Sequence, residues 1–150
     1  MTLFDPNVEI HRRPKAWTYA VMALVIVFVI ASYFLLRYYP EKRAAMHFFD
    51  AVVAGQMDEA YQLWKPGPSY TKKDFLADFG PEGYYGPIKS YRIIRTRSPR
   101  GASGVIVSTE VSPFAPMPDK SDVEKSGRTK LVTIWVESKD KSFSFPPDLQ

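Results

Sequence analysis

Residues Ala16 to Leu36 read AWTYAVMALVIVFVIASYFLL, 21 positions with no charge, no Pro and no Gly. A helix rises about 1.5 Å per residue, so this run covers about 30 Å, the hydrocarbon thickness of a bilayer. The stretch reads as one membrane-spanning helix, and everything after it as a domain held at the membrane surface. Two other readings fit less well. A buried helix of a soluble protein needs more surrounding chain than remains here. A cleaved signal peptide needs a shorter apolar core and small residues at its cleavage site, where Val29-Ile30-Ala31 is a poor match.

The flanks carry membrane-interface chemistry. Trp17 and Tyr19 lie near one end of the run, and Tyr33, Tyr38 and Tyr39 near the other. Such rings settle at headgroup level, apolar body inward and polar tip toward water. Arg37 is placed to snorkel to the headgroups from the end of the helix. Pro40, without an N–H, is expected to end the helix. This divides the chain into a tail (1–15), a membrane helix (16–39) and a domain (40–150). Arg12, Arg13 and Lys15 before the helix balance Arg37, Lys42 and Arg43 after it, so the positive-inside rule is tied. The short tail and its abutting basic cluster favour an N-terminus inside, which leaves the domain outside the cytoplasm of a cell-membrane, single-pass protein.

After Pro40 there are 16 Lys plus Arg against 14 Asp plus Glu, a near-neutral balance that gives no reason to expect nucleic acid as a partner. The chain has no Cys, which excludes disulfides, thiolate chemistry and Cys-based metal sites. Its two His are far apart and its carboxylates scattered, so neither a metal cluster nor a cofactor is expected.

The domain changes period half-way along. Ala45, Phe48, Phe49 and Val52 recur at helical spacing before Gly55, and Ala60, Tyr61 and Trp64 do the same before Lys65-Pro66-Gly67-Pro68. Thr71-Lys72-Lys73-Asp74 is a capping box that opens a third helix carrying Phe75, Leu76 and Phe79. From Ile88 the pattern alternates: strands over 88–96, 105–112, 130–138 and 142–145, with a long loop at 113–129. Helices followed by strands imply an α+β fold, three short helices on one face of a three- to four-stranded antiparallel sheet.

The stretch Ala45-Met46-His47-Phe48-Phe49-Asp50-Ala51-Val52-Val53-Ala54-Gly55-Gln56-Met57-Asp58-Glu59-Ala60-Tyr61-Gln62-Leu63-Trp64 resembles the opening of NTF2-like (cystatin-like cone) domains, including membrane-anchored bacterial members. The later strands, with the aromatic-rich Thr133-Ile134-Trp135-Val136, are similar too. The helix-Gly-acidic-Ala-Tyr pattern also occurs in tetratricopeptide units, but here one unit is followed by strands. The resemblance implies a cone of helices on a curved sheet. Some members of that family move protons with an Asp–His pair, or with an Asp and aromatic hydroxyls, inside the cone.

His47, however, falls opposite the Phe48/Phe49 face and is expected in solvent, with Asp50 at the edge of that face, so no catalytic residue is carried over. Trp64, Phe75, Phe79, Tyr91 and Trp135 are candidates to line a cone pocket, and are first of all candidate core. Lys89, Arg92, Arg95, Arg97 and Arg100 form a basic segment; strict alternation places Lys89, Arg95 and Arg97 on one face and Arg92 on the other. The expected function is a non-catalytic, membrane-anchored binding or assembly module. Its partners would be the lipid bilayer and a protein in the membrane or envelope, in the manner of an accessory subunit of a membrane complex. The alternative is an enzyme or a small-ligand sensor using a cone pocket.

Overall fold

The computed structural model describes residues 16–146. The chain divides into two units, between Arg37 and Tyr38. In the first, α1 runs from Ala16 to Leu36, and none of its described side chains is buried. It is long and apolar enough to cross a membrane.

The second unit is α+β. Its helices are α2 (Tyr39–Val53), α3 (Met57–Trp64), α4 (Lys72–Phe79) and a one-turn α5 (Val123–Ser126); its strands are β1 (Ser90–Arg97), β2 (Gly104–Ser112), β3 (Lys130–Glu137) and β4 (Phe143–Ser144). The strands form one antiparallel sheet in the order β1-β2-β3-β4. Helix α2 lies against β1, β2 and β3, and α3 against α2 and β4.

Local chemistry explains most helix boundaries. Pro40 does not terminate α1 as the sequence suggested. It stands in the first turn of α2, where a missing N–H costs nothing, and the break falls at Arg37–Tyr38. At the other end of α2, Gly55 takes φ +76°, the Gly55 N–H reaches Val52 O at 3.0 Å and the Gln56 N–H reaches Ala51 O at 2.9 Å. These two bonds satisfy carbonyls that the helix end would leave open. Both halves of the Thr71/Asp74 capping box are formed at α4. The segment read as a long loop at 113–129 contains α5, capped by Asp122.

The core is aromatic. Phe48, Phe49, Phe75 and Phe79 are fully buried, and Trp64 and Phe143 nearly so, over the valines of β2 and β3 and Ile134. The Phe48 ring lies 5.1–5.3 Å from the rings of Phe49, Trp64, Phe79 and Phe143 and 6.2 Å from that of Phe75. One polar group sits wrongly in this environment. Thr109 is fully buried on the core face of β2, and its hydroxyl has no partner among the described residues. An unpaired buried hydroxyl carries its desolvation cost without return, and Val has nearly the same shape. Thr109→Val is therefore expected to raise the stability of the domain by about 1 kcal/mol. A denaturant midpoint that falls would mean that the hydroxyl is paired.

Candidate functional site

Three regions were marked by the sequence as sites: the domain interior, the basic segment and the aromatic residues around α1.

Aromatic side chains meet in the interior. Trp64, Phe75 and Phe79 are mutual neighbours at 5.3–6.2 Å between ring centres. Tyr91 is half-buried and stacks on Phe49 at 5.3 Å. Trp135 is not with them: in β3, Val132, Ile134 and Val136 point to the core, and Trp135 lies on the opposite face of the sheet. There its ring covers Gly104, where an added Cβ would come within 2.6 Å of the indole. Trp135 also pairs across the strands with Ile106, an outer-face residue only 2% exposed.

Titratable groups near the core are engaged structurally. His47 is exposed. Asp50 is tied instead to Tyr91, whose hydroxyl donates to Asp50 Oδ1 at 2.7 Å and lies 3.2 Å from Met46 O. Burial, then the Asp50 carboxylate, pushes the Tyr91 phenol well above its ordinary range. Tyr70 donates to Asp78 at 2.6 Å and is raised for the same two reasons. Both phenols are held neutral, as clamps between elements. Among the described residues no group of three or more His, Cys, Asp or Glu could hold a metal ion.

The basic segment is arranged differently from strict alternation. A bulge between Ile93 and Arg95 leaves Ile94 without a cross-strand partner. Tyr91 and Ile93 pair with core-facing Val111 and Thr109, whereas Arg92, Arg95 and Arg97 pair with Glu110, Ser108 and Ile106 of the outer face. One extra residue thus moves all three arginines to one side, correcting the sequence assignment that set Arg92 apart. Arg92 is bound to Glu110 at 2.7 Å; Arg95 and Arg97 make no ion pair with a described residue. Lys89 and Arg100 are exposed beyond the two ends of β1.

Comparison with protein-family models, curated protein sequences and solved structures returns no match. The chain's own geometry must therefore carry any functional reading.

Trp17, Tyr19 and Tyr33, the aromatics expected at the membrane interface, are exposed on α1, and Arg37 is exposed after it. Tyr38 is half-buried against the domain core, and Tyr39 is 54% exposed. Tyr39 borders a feature that the sequence did not reveal, an open groove of about 520 Å³ on the outer side of α2. Pro40, Arg43, Ala44 and His47 supply one wall, Leu63 of α3 another, and Lys141 and Phe143 the third. The α2 members recur at i, i+4 and i+8, the same periodicity that marks the core face on the other side of the helix.

Lys141 joins α2 to the turn before β4. Its ammonium donates to Glu41 Oε1 at 2.8 Å and to Ser138 O at 2.6 Å, from a backbone at φ +59°. Glu41 is buried, and its Oε2 has no hydrogen-bond partner among the described residues. Burial alone would push this carboxyl up; the Lys141 hydrogen bond, the Glu41 backbone and the Lys141 charge outweigh it and hold the group below its ordinary 4.5. A carboxyl depressed in the folded state contributes stability above about pH 4.5, which is lost as pH falls through the folded value.

Proposed function

We propose that this protein is a single-pass, membrane-anchored binding or assembly module of the NTF2-like kind, without catalytic activity of its own. The observation that carries the reading is α1: an apolar helix with no buried described side chain, attached to a domain whose core is closed without it. Exposing a helix of this composition to water is costly, and a bilayer is the solvent that removes the cost. An α+β domain whose α2 packs against a four-stranded antiparallel sheet supports the NTF2-like assignment. The filling of the interior by Phe48, Trp64, Phe75, Phe79 and Phe143 favours binding at the surface over chemistry in a cone. The basic arginines of β1 and the groove on α2 are the surfaces available to such a partner.

Because the chain has no Cys, a single introduced one is a unique label. In the full chain carrying Ser138→Cys, a membrane-impermeant maleimide is expected to label intact cells as fully as lysed ones. Labelling only after lysis would place the domain on the cytoplasmic side and overturn the N-inside orientation. Recovery of the chain in the soluble fraction would overturn the anchor itself.

A further inference from the structure

We propose that the groove on α2 is a binding site for one acidic phospholipid of the bilayer that α1 crosses; this deepens the membrane-anchor reading and rests on it. Three observations converge. The first is position in the chain: Tyr39 and Pro40, which open the groove, follow Leu36 by three and four residues.

The second is charge. The nitrogen-bearing side chains of the lining are Arg43, His47 and Lys141, the last paired with Glu41 behind it, and no carboxylate belongs to the lining itself. Arg43 and His47 stand one helical turn apart and make no ion pair with a described residue. Lys141 uses two of its three N–H donors on Glu41 and Ser138, which leaves one for a ligand. A phosphodiester with several acceptor oxygens matches such a set, and Arg is the side chain best suited to grip it.

The third is the apolar part of the lining, supplied by Ala44, Leu63 and Phe143. An amphiphile with a phosphate at one end and hydrocarbon at the other satisfies both kinds of surface, whereas a free phosphate ion leaves the apolar part in contact with water. A volume of about 520 Å³ accommodates a headgroup and the first part of a chain, not a whole lipid.

The test uses the full chain, purified in detergent, freed of lipid and examined by native mass spectrometry with added phosphatidylglycerol or phosphatidylcholine. One phosphatidylglycerol per chain is expected to be retained, and phosphatidylcholine about tenfold less well. The double variant Arg43→Gln/His47→Gln should lose about tenfold in affinity for phosphatidylglycerol, since the Arg43 charge near an acidic headgroup contributes a several-fold factor and the His47 side chain a hydrogen bond. Lys42→Gln, one residue away and outside the groove, should leave it unchanged. Ala44→Trp fills the groove and keeps every charge, so it should abolish retention if the cavity is the site. Equal retention of both lipids, an unaffected Arg43/His47 variant, or displacement of the lipid by inorganic phosphate at equal concentration would each overturn the site. Carbonate extraction of the same variants separates the two readings. Membrane-bound chains without lipid discrimination sink only the groove, and chains that never enter the membrane sink the anchor.

Discussion

Phe48→Ala is expected to destabilise the domain by about 3–5 kcal/mol, the usual cost of removing a fully enclosed aromatic ring. Small domains have only about 5–15 kcal/mol in total, so the variant should populate the unfolded state and be degraded or aggregate. Phe48 is singled out by its neighbours. It is 0% exposed and its ring touches the rings of α2, α3, α4 and β4 at once, through Phe49, Trp64, Phe75, Phe79 and Phe143. No single neighbour can relax into the vacated volume without leaving another. Phe145→Ala is the comparison: that residue is 38% exposed and meets Trp64, Tyr70 and Phe79 from the rim. It should cost well under half as much. Denaturant unfolding followed by tryptophan emission would measure both, and equal losses would mean that the cluster is not centred on Phe48.

The second large effect concerns α1. Placing two arginines near its centre, as Ile26→Arg/Val29→Arg, adds about 2.5–3.5 kcal/mol to the insertion free energy for each, beside the loss of two apolar side chains. The sum is about 6–8 kcal/mol, enough to reverse the partition of a single helix. The chain should move from the carbonate-resistant membrane fraction to the soluble one, while Ile26→Leu stays in the membrane. The domain should remain folded in the soluble variant, because its core contains no residue of α1. A double variant that unfolds instead would identify α1 as a core helix of a larger assembly. One that remains membrane-bound would move the anchor to another part of the molecule.

The sequence by itself determined α1, the three longer helices, the Thr71/Asp74 cap and the Gly55 stop. These depend on spacing within a few residues: a 3.6-residue period, a side chain reaching an N–H three positions on, a glycine free to take a positive φ. Each is decided before any distant segment arrives.

Tertiary structure decided the rest, because the deciding partner is remote in sequence. Arg92 joins Arg95 and Arg97 only because the pairing of β1 with β2 skips Ile94, and a single unpaired residue inverts the side-chain parity that alternation assumes. Pro40 could equally end one helix or begin the next; the turn at Arg37–Tyr38 settled it. Trp135 is by its sequence a candidate for the core or for a cone pocket, but β3 turns its other face to the helices, and the space left by Gly104 receives the ring. The groove was invisible for the same reason. Its walls come from α2, α3 and the turn before β4, and the ion pair that closes one side joins Glu41 to Lys141, residues 100 positions apart.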